Sequence, residues 1–231
     1  MDRPRPGTCQ GVRMSSWTVD AILFDLDGTL VDSSGSVHRS WRALADRIGM
    51  PWEKIEPRIH GTPVPQVLAD LAPELTPEEV ADHHAFMSDV EATDIDGVTA
   101  QPGAVAALAT LPRDRVAIVT SGSVRLSSAR IAAAGLERPD VVVTADEVEL
   151  GKPDPALFRL GAQRLGFAPE RCLAVEDAPA GVVSARTAGC IVVGVLTTHR
   201  ELDAPTVTSF DQITFRPIDG GAGGIEVTIP D

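Results

Sequence analysis

The chain has 231 residues, 43% of them hydrophobic, which is enough for one large domain or one domain carrying an insert and too much for a disordered chain. Its formal net charge of −13 is a poor match for the phosphate backbone of nucleic acid, and no apolar run is long enough to span a bilayer. Three cysteines, Cys9, Cys172 and Cys190, are odd in number and lack metal-ligand spacing, so they read as reduced thiols of a cytoplasmic protein.

Residues 1–16 hold Arg3, Arg5 and Arg13 with no apolar stretch behind them. They read as a disordered leader rather than a secretory signal, with Met14 as an alternative start. Ala21–Phe24 is the first of five short, continuously apolar runs. The others are Val116–Val119, Val141–Val143, Leu173–Val175 and Ile191–Leu196. Such runs are the signature of strands buried on both faces of a parallel sheet. Helical patterns alternate with them. Gly103–Leu111 opens after Pro102. Val124–Ala134 stops at Gly135, Pro155–Leu165 at Gly166 and Ala180–Ala188 at Gly189. The alternation predicts an α/β fold with a doubly wound, Rossmann-like parallel sheet.

Residues 33–98 break the rhythm. Val37, Trp41, Leu44, Ala45 and Ile48 fall on one helical face, and Val64–Leu71 is a shorter helical segment. Thr76-Pro77-Glu78-Glu79 is a capping box that opens a third helix. We therefore expect an α-helical insert over 33–98, able to act as a lid, between core segments 17–32 and 99–231. Gln212–Phe215 and Ile225–Ile229 flank a Gly-rich turn and predict a terminal hairpin.

The chemistry-bearing residues cluster where the apolar runs end. The first run leads into Asp25-Leu26-Asp27-Gly28-Thr29. In extended backbone, residues i and i+2 point the same way, so Asp25 and Asp27 project together. Such a pair can bind a hard cation, or divide into a nucleophile and a proton carrier. Alone, it is also what an acidic turn looks like. Thr120-Ser121-Gly122 offers a hydroxyl and free N–H groups to a phosphate oxygen, but alone it reads more readily as an ordinary helix N-cap. Lys152 sits between Gly151 and Pro153. It is one of only two lysines, with Lys54, so a compact ammonium rather than a guanidinium is called for there. Glu176-Asp177 closes the fourth cluster, as metal ligands with Asp25 or as a helix cap. Taken together, the four clusters supply what phosphoryl transfer needs: nucleophile, acid, phosphate donors, cation and metal ligands.

In this order, Asp25-x-Asp27-Gly28-Thr29, Thr120-Ser121, Lys152 and Glu176-Asp177 resemble the four motifs of the haloacid dehalogenase superfamily, from about Val19 to the terminal hairpin. The insert falls where that superfamily carries its helical cap. The resemblance implies a Mg²⁺-dependent phosphatase in which Asp25 attacks a small phosphate ester and Asp27 carries the proton. It implies Mg²⁺ held by Asp25, the Asp27 backbone carbonyl and Asp177, with Glu176 as a further partner, and a phosphoryl group held by Thr120, Ser121 and Lys152. Asp27 counts against the dehalogenases themselves, which do not use the second aspartate.

Glu91–Gly97, Thr120–Ser123 and Val175–Gly181 resemble bacterial sugar and sugar-alcohol phosphatases. Ile59-His60-Gly61 matches the cap's substrate loop in those enzymes, but Thr62-Pro63 stands where that loop often turns basic. His60 reads either as a ligand for a sugar hydroxyl or as a plain polar loop residue. The resemblance leaves two alternatives: a phosphosugar mutase of the β-phosphoglucomutase type, and a non-catalytic binding protein on the same fold. The expected partner is a small-molecule phosphate ester, with no nucleic acid and no membrane, and the protein is expected as a monomer or weak dimer.

Overall fold

A computed structural model describes residues 13–59, 63–218 and 224–231 of the chain. In chain order the elements begin with β1 (Met14–Val19), β2 (Ala21–Phe24) and β3 (Val31–Asp32). Four helices follow: α1 (Ser34–Ile48), α2 (Trp52–Ile55), α3 (Val64–Leu71) and α4 (Pro77–Thr93). The chain then alternates through β4 (Thr99–Ala100), α5 (Ala104–Thr110), β5 (Val116–Val119), α6 (Val124–Ala133), β6 (Val141–Val143), α7 (Ala156–Leu165), β7 (Cys172–Glu176), α8 (Pro179–Ala188) and β8 (Ile191–Val195). It ends with β9 (Thr206–Val207), β10 (Thr214–Pro217) and β11 (Ile225–Pro230).

Six strands form a parallel sheet in the order β6-β5-β2-β7-β8-β9. β2 lies inside it, and all four of its residues are buried. Its side chains alternate between two cores. Ile22 and Phe24 join one face with residues of α5, α6 and the terminal strands, whereas Ala21 and Leu23 join the other with residues of α7 and α8. Helices therefore cover both faces, the doubly wound arrangement that alternating strand and helix patterns dictate. Phe24 packs on Phe210 and Phe215 with ring centroids 5.9 Å apart in both pairs. Each fully buried side chain of this size contributes about 1.5–3 kcal/mol relative to an exposed one.

The expected terminal hairpin is present, as β10 pairs antiparallel with β11. A third strand joins it: β1 pairs with β11 from Met14↔Pro230 to Val19↔Ile225. The leader expected over residues 1–16 is thus corrected at Met14, Ser15 and Ser16, which are strand residues. β1 alternates exposed and half-buried positions before Val19, so no continuous apolar run marks it. Residues 1–12 lie outside the described residues.

Helices α1–α4 hold a third apolar cluster, built from Trp41, Leu44, Ile55, Val67, Leu68 and Met87. The capping box at the start of α4 forms as read: the Thr76 side chain accepts from the Glu79 N–H, and the Glu79 carboxylate accepts from the Thr76 N–H. A short antiparallel ribbon, β3 with β4, flanks the helices where the chain leaves and re-enters the core. Among the described residues no helix is long and apolar enough to cross a membrane.

Candidate active site

The carboxyl ends of β2, β5 and β7 converge on one cavity of about 830 Å³, which Asp25, Asp27, Thr120, Ser121, Lys152 and Asp177 all line. The backbone N–H of Asp25 donates to Val175 O, which fixes the end of β2 against β7. Lys152 Nζ then joins three strand ends: it lies 2.5 Å from Asp25 Oδ1, 2.6 Å from Glu176 Oε1 and 3.0 Å from Val119 O. Its side chain is only 7% exposed, so the lysine is a buried linchpin and not a solvated surface residue. The second oxygen of Glu176 accepts from the N–H groups of Asp177 and Ala178. This folded-back pose depends on Gly181, where a Cβ would lie 1.9 Å from Glu176 Oε1.

Asp177 is held by hydroxyl groups. Thr29 donates to its Oδ1 at 3.2 Å and Thr198 to its Oδ2 at 2.5 Å. Thr120 is buried at the end of β5, and its Oγ accepts from the Gly122 N–H, which leaves its own O–H free to donate. Ser121 is exposed on the cavity wall. His60, with Gly61 and Thr62, lies outside the described residues.

Asp27 has a separate environment. Its Oδ1 receives the Ser33 hydroxyl at 2.9 Å and pairs with Arg130 Nη1 at 2.6 Å. Arg130 in turn faces Glu91 of α4, with Nη2 3.7 Å from Oε1. Sequence reasoning did not find Ser33, Arg130 or Thr198, and it named Thr29 only as part of the first motif. For Arg130 a signal existed: it falls on the face of α6 that buries Leu126 and Ser127, where a solvated arginine has no place.

The electrostatics follow from burial. Desolvation pushes Asp25 up to about 7, with Lys152 opposing and Glu176 adding to the rise. Asp177 is likewise pushed up to about 7 by desolvation and then by the Asp25 charge. Glu176 is also raised, mainly by burial. Burial pulls the Lys152 ammonium down, but Asp25 and Glu176 outweigh it and hold it above its ordinary range. Asp25, Glu176 and Asp177 have oxygens within 4.8 Å of one another and a single ammonium among them, so negative charge is in excess. A buried, oxygen-only donor set with surplus negative charge fits a hard cation of the Mg²⁺ kind.

A family model described as haloacid dehalogenase-like hydrolase matches residues 19–189. The chain belongs to this family. Among members, hexitol phosphatase A of Escherichia coli (strain K12) is 43% identical over 194 residues, covering 83% of this chain and 88% of that protein. Validoxylamine A 7'-phosphate phosphatase of Streptomyces hygroscopicus subsp. limoneus is 34% identical over 182 residues, covering 77% of this chain and 85% of that one. CbbY from Rhodobacter sphaeroides, solved in complex with phosphate, superposes with a TM-score of 0.71 at 26% identity, over 83% of this chain and 95% of that chain. The haloacid dehalogenase-like fold expected from the motifs is therefore the fold observed.

Proposed function

We propose that the protein is a Mg²⁺-dependent phosphatase of a sugar-alcohol or sugar phosphate, working through a phosphorylated Asp25. The observation that carries this reading is the division of the two aspartates. Asp25 sits among cation-binding oxygens with Lys152, whereas Asp27 lies apart from them with its own donors. The 43% identity to a hexitol phosphatase supports the substrate class.

The carboxylates of Asp25 and Asp177, the backbone carbonyl of Asp27 and, as a further partner, Glu176 would hold Mg²⁺. When bound, Mg²⁺ supplies the positive charge that lets an anionic carboxylate approach an anionic phosphate. The Thr120 hydroxyl, the Ser121 N–H and Lys152 orient the phosphoryl oxygens. Asp25 attacks in line: its O–P bond forms as the ester P–O bond breaks, and Asp27 gives its proton to the departing alkoxide. Asp27, now ionised, takes a proton from water as that water attacks phosphorus, which restores Asp25 and frees phosphate. The helical insert of residues 33–98 serves as a lid over the organic part of the substrate and excludes water.

The test is a panel of hexitol, hexose, pentose and glycerol phosphates assayed for phosphate release, with Mg²⁺ and with chelator. Mg²⁺-dependent turnover that favours polyol phosphates is expected. Turnover of none of them, or equal turnover with chelator, would refute the reading.

A further inference from the structure

Arg130 is unusual among the described arginines. It is 3% exposed, and its Nε and Nη2 make no hydrogen bond. A buried guanidinium is costly to desolvate unless charged partners surround it, so its partners define what it does. Its one close contact is Asp27 Oδ1 at 2.6 Å, the same oxygen that Ser33 binds. No described residue bonds Oδ2 of Asp27, and Asp27 lines the cavity. Behind the guanidinium stands Glu91, 19% exposed and contributed by α4 of the insert.

Resting on the phosphatase reading above, we infer that Arg130, backed by Glu91, is a positioning residue for proton transfer. It pins Oδ1 of Asp27 so that Oδ2 is the oxygen that carries the proton to the leaving group. Two donors on one oxygen fix the rotation of the carboxylate and leave the other oxygen without a partner among the described residues. The step is balanced: the proton leaves Oδ2 for the alkoxide as the ester P–O bond breaks, and the negative charge left on Asp27 stays beside the guanidinium. The Glu91 carboxylate lies 3.7 Å from the second terminal nitrogen and balances the buried guanidinium's charge, so the insert contributes to chemistry as well as to covering the substrate. An arginine is suited to this place because its planar guanidinium presents one nitrogen to Asp27 and another toward Glu91.

The experiment compares an unactivated alkyl phosphate with an aryl phosphate whose leaving group needs no protonation. The quantity measured is kcat/KM, which reports the first half-reaction. Arg130→Gln, Arg130→Lys and the near-isosteric Glu91→Gln are purified as full-length chains and checked for folding by circular dichroism. For Arg130→Gln, a loss of about 100-fold on the alkyl ester and less than about tenfold on the aryl ester is expected, because general acid catalysis of this kind contributes about 10²–10⁴-fold. Glu91→Gln is expected to shift the ratio in the same direction by a smaller factor. In an Asp27→Asn background, Arg130→Gln is expected to leave the ratio where Asp27→Asn alone puts it. Equal losses on both esters in a folded variant would overturn the inference, as would a further change of ratio in the Asp27→Asn background. Should Arg130 variants fail to fold, an unchanged ratio in Glu91→Gln would overturn it. A wild-type chain inactive on both esters would instead refute the phosphatase reading itself.

Discussion

Gly28 and Asp177 compete for one volume: a Cβ on Gly28 would lie 2.0 Å from Asp177 Oδ2. Gly28 also has φ +86°, in the left-handed region that other residues enter at a cost. Gly28→Ala should therefore lower stability by about 2 kcal/mol or more and displace Asp177. Urea denaturation with and without Mg²⁺ checks this. A variant as stable as wild type with undiminished Mg²⁺ response would show that the close approach is unimportant.

Thr198 bonds both the side chain and the carbonyl of Asp177. Groups that orient a metal ligand typically govern metal affinity by about 10–100-fold. Thr198→Val should weaken Mg²⁺ activation by a factor in that range while barely altering the fold. The Mg²⁺ concentration for half-maximal activity is the quantity to measure, and a value equal to wild type would be the contrary result.

Lys152 keeps Asp25 and Glu176 from facing each other uncompensated. Lys152→Met should reduce turnover by about 100-fold or more, as expected when a preorganised cation is lost from the site of developing charge. Lys152→Arg should not restore it, because the planar guanidinium cannot occupy the position of the compact ammonium between three strand ends. Steady-state rates of the two variants make the comparison.

Asp25 and Asp177 are pushed up to about 7 from an ordinary 3.8, chiefly by burial. The folded protein therefore holds more protons than the unfolded chain between those values. Their contribution to stability is full below the ordinary value and erodes as pH rises toward 7. A bound cation competes with the same protons. The stabilisation gained on adding Mg²⁺ should thus be larger at about pH 8 than at about pH 5, and Asp177→Asn should flatten the difference. Thermal unfolding at the two pH values, with Mg²⁺ and with chelator, measures it. An increment independent of pH would contradict the proton competition.

The chemistry was legible where it sits at the end of a buried strand. Asp25, Thr120, Lys152 and Asp177 each follow a short apolar run or its loop, and parallel topology brings such ends to one edge. The sheet order was not legible, because apolar runs state burial and not neighbours. β1 was missed because an edge strand with alternating polar residues carries little apolar signal. β9 is only two residues long and leaves no pattern. The bonds from Thr29 and Thr198 to Asp177 were missed because hydroxyl residues in loops are common and Asp177 is distant in sequence from Thr29 and lies beyond a helix and a strand from Thr198. Arg130 was not singled out because a lone arginine in a helix carries no motif, and only the fold shows that the face it shares with Leu126 and Ser127 is buried. The Asp25–Asp27 pair alone carried two readings, and what separates the two aspartates in the folded protein is the company each keeps.

The most direct test of the account is rapid acid quenching during turnover of a labelled phosphate ester, followed by peptide mapping. Label on the peptide that contains Asp25, formed no later than alcohol release and lost as phosphate appears, is the predicted result, and it should be absent from Asp25→Asn. Full turnover by a folded Asp25→Asn variant, or label found on another residue, would contradict it.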